Sequence, residues 1–364
     1  MKTALTLPEL ATKLQEMRDA KNDYIVDTRA LQVEAVGEGR QLVVNVHDSQ
    51  DFVIRQHALR QMQERVKIPA SYGNYLQDAH PDLLAHNLTE LFRRKPEKRL
   101  MRTINNNCRA FLSDGYRIMD NFDLAEAVLP VILDAGAEVI SCDVTERKMY
   151  VKAILPDMVK EFGPPPGAQM GVGHTMFVEK VVAGITVGNS EIGDGKLFVQ
   201  PSAFTERCTN WCSWDDQKYA RVHLGKRASG DSEAMIAEVM SDETKRKSDE
   251  ALWAQVRDVA TAAMDGRLFD KIVEKLQAAR GDQIEGDPVV TVERVAEQLQ
   301  LTEDERGSVL NHLIAGGDLS RYGLHAAIPR TSNDIDSYDR ATELEQFGGR
   351  VIDLAPQDWQ RLAA

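Results

Sequence analysis

The chain has 364 residues, 43% hydrophobic and 28% charged, with four cysteines and a formal net charge of -13. This is the composition of a globular protein with a large core, which excludes disorder throughout, and so few cysteines without a secretory leader exclude a disulfide scaffold and predict a reduced, cytoplasmic chain. No stretch is long and apolar enough to span a bilayer, so no membrane partner is expected, and the net charge repels nucleic acid unless a local cluster overrides it.

In chain order, Thr6 and Pro8 open a helix carrying Leu10, Leu14 and Met17 at helical spacing. Leu31–Val36 and Gln41–Val46, separated by Gly-Glu-Gly-Arg, read as a hairpin. A helix is predicted from about Asp51 to Val66, then helical turns from Tyr75 to Phe92 broken near Pro81. Arg93, Arg94, Lys95, Lys98, Arg99 and Arg102 follow with Glu97 as the single acid, a local charge of +5, and Pro96 inside the cluster makes it a loop leading into a strand. Leu100–Ile104 and Arg109–Leu112 are extended. Asp120 or Asn121 then caps a helix with Leu124, Val128, Leu129 and Ile132 on one face, and Gly136 ends it.

Strands are expected at 138–142 and 148–154, and this strand, helix, strand, strand order favours an antiparallel or mixed sheet with helices packed on one side. Seven of the eleven residues from Gly163 to Gly173 are Gly or Pro, the composition of a mobile loop. Met176–Val187 and Lys196–Phe204 read as paired strands around Gly188-Asn-Ser-Glu-Ile-Gly-Asp-Gly195. From Asp231 to about Ala279 the pattern is helical, with Trp253, Val256, Ala260 and Met264 on one stripe and Gly266 as an interruption. Two short helices follow at 291–300 and 303–315. The fold class is therefore α+β, with a core domain over 1–230 and a mainly helical C-terminal region over 231–364.

Few constellations carry chemistry. Cys208 and Cys212 lack the further ligands of a zinc site, the eight histidines are scattered, and the phosphate-loop, dinucleotide, H-E-x-x-H and G-x-S-x-G motifs are absent, so no cofactor is expected. Asp215–Asp216 and Asp334/Asp336 read as turn acids rather than metal ligands, and the helix pair at 291–315 has too few bases for groove reading. What remains is basic and aromatic: Tyr116 and Arg117 near Arg109, Trp211 and Trp214, and Tyr219 beside Lys218 and Arg221, the combination that stacks bases and pairs phosphates in single-strand binding.

Several stretches resemble the phage- and plasmid-related family designated domain of unknown function 932: Ala58–Tyr72, Arg109–Asn121, Gly188–Gly193, Cys208-Thr-Asn210 and Tyr338–Gly349. They occur in the family's order and span most of the chain, which departs from the pattern at Trp211, where the family carries Gly. The resemblance implies a mobile-element setting and supplies no catalytic residues. Joined to the basic cluster, it leads to the expectation of a single-stranded nucleic-acid binding protein, a homo-oligomer annealing strands without ATP. Its contacts would be Arg93, Arg94, Lys98, Arg99, Arg102, Arg109, Tyr116, Arg117, Trp211, Lys218 and Arg221. The alternatives are an interaction protein whose acidic surface binds a host or phage protein, and a metal-dependent nuclease using Asp114, Asp120 or Asp215.

Overall fold

The computed structural model describes residues 5–37, 41–46, 50–162, 179–205, 210–214, 219–221 and 242–364. Helix α1 (Leu7–Ala20) starts where its capping residues place it: the Glu9 amide donates to the Thr6 hydroxyl, and the Thr6 amide donates back to the Glu9 carboxylate. Leu10 and Leu14 turn inward.

Six strands form the first sheet, in the spatial order β1 (Lys21–Asp27), β5 (Lys98–Ile104), β6 (Asn107–Ser113), β4 (Gln50–Ile54), β3 (Gln41–Val46) and β2 (Leu31–Val36). The β2–β3 hairpin pairs Val33 with Val44, and every pairing is antiparallel except β4 with β6. Val33, Val44, Phe52, Met101 and Phe111 make the sheet's inner face, closed by α2 (Gln56–Arg65), α3 (Ala70–Ala79) and α4 (Pro81–Arg94). The helix expected over 51–66 therefore begins only at Gln56. Its first residues are β4, where Phe52 and Ile54 reach the core at period two and Ile54 lies opposite Cys108; a short apolar run satisfies both periods, and the parallel partner 54 residues away decides.

The second sheet is wholly antiparallel: β7 (Glu138–Val144), β8 (Met149–Phe162), β9 (Glu179–Asn189), β10 (Leu197–Thr205) and β11 (Asn210–Ser213), with β12 (Tyr219–Arg221) also on β10. Val151, Ala153, Ile185, Val187 and Val199 form its apolar face, packed on α1, α5 (Asn121–Asp134), α6 (Asp242–Ala263) and α7 (Gly266–Gly281). The break at Gly266 is as read from the sequence.

The opposite face of this sheet is polar and buried. Ser141, Lys152, Thr186 and Gln200 lie in register across four strands, each at most 1% exposed. Over them runs α11 (Tyr338–Asp353), one of five C-terminal helices with α8 (Pro288–Leu299), α9 (Glu303–Gly316), α10 (Arg321–Thr331) and α12 (Pro356–Ala363), whose shared core includes Val292, Val309, Leu324, Leu344 and Trp359. Ser141 and Tyr338 share a 2.6 Å hydroxyl–hydroxyl hydrogen bond, and Lys152 donates to the Glu345 carboxylate and to Thr342 Oγ1. At the far end of α11 a Cβ on Gly349 would stand 2.1 Å from the Ser213 carbonyl oxygen, so only glycine permits this approach.

Two sheets with helices against them and a helical C-terminal part make an α+β protein. The apolar core of the second sheet reaches into α6 and α7, while the five later helices have a core of their own. The Gly/Pro stretch 163–173 and the expected boundary at 230/231 lie outside the described residues. Among the described residues no helix is long and apolar enough to cross a membrane.

Two predictions follow from the sheet–α11 contact. Burial lowers the Lys152 pKa and raises that of Glu345, each opposed by the partner's charge, so removing one member strands the other: Lys152→Met should cost about 3–5 kcal/mol in urea unfolding, and Lys152→Met with Glu345→Leu should restore most of it. Burial also pulls His325 down from 6.5 to about 4 while its Nδ1 bonds the Gly348 carbonyl. The folded protein refuses a proton that the unfolded chain accepts, so this contribution is complete above pH 6.5 and falls by on the order of 3 kcal/mol toward pH 4. A His325→Gln variant should show a flatter stability profile across that window by thermal unfolding.

Candidate nucleic-acid interface

The segment from Cys108 to Asn121 becomes strand β6, a turn, and the start of α5. Its chemistry is turned inward. Arg102, on neighbouring β5 and 1% exposed, donates to Asp23 on β1, to Asp120 at 2.7 Å and to the Glu191 carbonyl at 2.8 Å. Lys21 also reaches Asp120. Burial opposes both charges but is outweighed: the two acids raise Arg102 above the usual guanidinium value, and Arg102 with Lys21 holds Asp120 below the usual carboxylate range.

Asp120 occupies the N-cap position of α5 without capping it, a correction to the sequence reading, because its carboxylate is taken by Arg102 and Lys21. Glu191, from the turn between β9 and β10, takes over by accepting the Asn121 amide at 2.7 Å, and its other oxygen accepts Arg109. The same turn is held on its far side: Gln61 donates to the Ile192 carbonyl while accepting the Phe111 amide, and the Tyr116 hydroxyl donates to the Ser190 carbonyl. Gly193 has φ +78° and lies so close to Leu112 that a Cβ would come within 2.7 Å of it. The Gly188–Gly195 turn is thus the plug between the two sheets.

These contacts redistribute the residues expected to bind a strand. Arg102 is internal. Trp211 is fully buried, its indole N–H donating to Thr186 at 2.8 Å and its ring lying where a side chain on Gly184 would be; neither residue is on the surface. Arg109 and Tyr116 belong to the plug, and Arg117 is bonded to Ser248 and Asp249 on α6. Lys218 lies outside the described residues, and Arg221 is placed only as part of β12. Of the acids set out for a metal-dependent reaction, Asp120 is engaged, Asp114 is exposed, and Asp215 lies outside the described residues. Among the described residues no group of three or more His, Cys, Asp or Glu gathers as a metal site.

Arg93, Arg94, Lys98 and Arg99 do come together, and the fold adds to them. Arg93 and Arg94 form the last turn of α4, and Lys98 and Arg99 begin β5, so the cluster is a helix end and a strand start joined by a short link. Glu97 is its hub. Arg65, at the end of α2, bonds the Glu97 carboxylate; Arg99 donates to it at 2.7 Å; and the Glu97 amide and carbonyl are tied to Thr28, beside Arg29. Burial opposes the Glu97 charge, but Arg65 and Arg99 outweigh it and hold the carboxyl below its usual range. One edge of the molecule thus gathers Arg29, Arg65, Lys67, Arg93, Arg94, Lys95, Lys98 and Arg99 against Asp27, Glu64, Glu90 and Glu97, an excess of four positive charges. Lys67, Arg94 and Lys95 are exposed, and among the described residues none of the three side chains is held by an acid. Arg29, Arg65 and Lys67 escape a sequence reading because they stand some 25–70 positions away; the end of α2 was the only local signal.

No family model, curated protein or solved structure matches the chain. The geometry alone therefore separates two sets of cations, those built into the joint and those presented at the edge. The separation predicts opposite responses in urea unfolding: Arg102→Met should cost about 3–5 kcal/mol by leaving Asp23 and Asp120 partly desolvated, whereas Arg94→Ala should stay within about 0.5 kcal/mol of the parent.

Proposed function

We propose that this protein binds single-stranded nucleic acid through its basic edge, without chemistry at the strand. The observation that carries the reading is the convergence of three chain segments on Glu97: the end of α2 at Arg65, the turn at Thr28 and the start of β5 at Arg99, where α4 has just ended at Arg94. Such an edge offers fixed cations to successive phosphates, and displaced counterions supply the free energy. The -13 net charge disfavours indiscriminate coating of the surface, so attraction has to come from a local excess of cations such as this edge.

The resemblance to the phage- and plasmid-related family supports a mobile-element setting, in which a homo-oligomer annealing strands without ATP would use such a surface. Phosphate contacts of this kind carry no sequence information, so the binding proposed is tolerant of sequence.

The test is fluorescence anisotropy with a labelled oligonucleotide across a salt titration. The parent should bind more weakly as salt rises, and Arg94→Glu with Lys95→Glu and Lys98→Glu should lower affinity at least tenfold and make the log–log salt slope shallower by about 2. Equal affinity and equal slope in parent and variant would rule the edge out.

A further inference from the structure

With Trp211 buried and Tyr116 committed to the sheet joint, the aromatic surface for unpaired bases has to be sought elsewhere. Helix α3 provides one. Tyr72 and Tyr75 are 48% and 55% exposed, lie one turn apart, and are the only tyrosines among the exposed large apolar residues described.

Their outward rotation is fixed from behind. Leu76 is buried in the core of the first sheet, and Gly73 lies so close to α2 that a Cβ would stand 2.7 Å from the Gln63 amide carbon. With Gly73 and Leu76 turned in, Tyr72 and Tyr75 are left on the open side. Tyr75 is braced by His80, whose ring meets it edge-on with centroids 5.7 Å apart and whose Nε2 lies 3.4 Å from the tyrosine hydroxyl.

The direction of α3 links these rings to the basic edge. Gln56, at the start of α2, exchanges amide hydrogen bonds with Gln77, near the end of α3, so the two helices are antiparallel. The end of α2 is bonded to Glu97 at the edge, so α3 begins there, just after Lys67. Tyr72 is in the first turn and Tyr75 one turn, about 5 Å, farther along. The helix carries one acid, Asp78, near its distal end.

We infer that Tyr72 and Tyr75 form a base-stacking strip that continues the phosphate-binding edge along α3. The occupant is a single strand, whose phosphates meet Lys67, Arg94 and Lys95 while its unpaired bases stack on the two rings. Positive charge beside an exposed aromatic strip matches that chemistry, and duplex, with its bases already stacked, gains nothing from the strip. This inference rests on the proposed function.

The experiment compares parent, Tyr72→Ala/Tyr75→Ala, Tyr72→Phe/Tyr75→Phe and the triple charge-reversal variant, each checked for parental circular dichroism, against labelled single-stranded and duplex oligonucleotides. The alanine pair should lose about tenfold in single-strand affinity for each ring that stacks a base, with an unchanged salt slope; the phenylalanine pair should bind as the parent, and duplex affinity should be unaffected. Parental affinity in the alanine pair, with weakened binding in the charge-reversal variant, would overturn the stacking strip and leave the edge standing. Loss of self-association in the alanine pair, seen by sedimentation with single-strand affinity unchanged, would assign the strip to protein contact and overturn the inference. Failure of the parent to bind any oligonucleotide would end both.

Discussion

A guanidinium sealed from water must be met by acids and carbonyls in fixed positions, and Arg102 imposes that demand on this fold. Its partners come from β1, from the start of α5 and from the Gly188–Gly195 turn, so one side chain ties the edge of the first sheet to the second. Two of the three partners are bound again: Asp120 by Lys21, and Glu191 by Arg109 and the Asn121 amide. A network in which every charge is answered tolerates little displacement, because any shift leaves a charged group in a low-dielectric surrounding. The glycines and tight approaches of the turn follow from fitting a hydrogen-bonding loop between packed layers.

The same principle recurs on the polar face of the second sheet, where Lys152 and Glu345 meet beneath α11. A purely apolar contact would let the helix slide; an ion pair flanked by Tyr338–Ser141 at one end and by Gly349 against Ser213 at the other sets one position along the strands. The C-terminal helices therefore have their own core yet are registered on the sheet by polar contacts. The two sheets are joined through Arg102 and its acids, and the C-terminal helices are joined to the second sheet through Lys152 and Glu345; Arg102, Lys152 and Glu345 are themselves buried.

Cations in this protein thus divide into two populations, which a count along the chain merges. From Arg93 to Arg102 the sequence shows six bases against one acid, but Arg102 points into the joint, Arg99 leans on Glu97, and Arg93 reaches Glu90. The edge recovers charge from Arg29, Arg65 and Lys67, which the fold brings to the same place. Its net charge depends on strand parity and on where helices end.

The α+β class, the capped first helix, the β2–β3 hairpin, the break at Gly266 and the Tyr75–Phe92 helical pattern were determined by the sequence itself, because caps, turn residues and hydrophobic period act over a few residues. Strand β4, the edge strand β1 with its charged and exposed residues, and the burial of Trp211 were decided only by tertiary structure. Their partners are distant in the chain: β6 for β4, β5 for β1, and the bare backbone of Gly184 on β9 for Trp211. A residue's type and neighbours state what it is able to bond. Whether that capacity is spent inside, as for Arg102 and Trp211, or offered to solvent, as for Arg94 and Tyr75, is set by which groups the fold carries to it, since burial makes an internal partner obligatory and exposure does not.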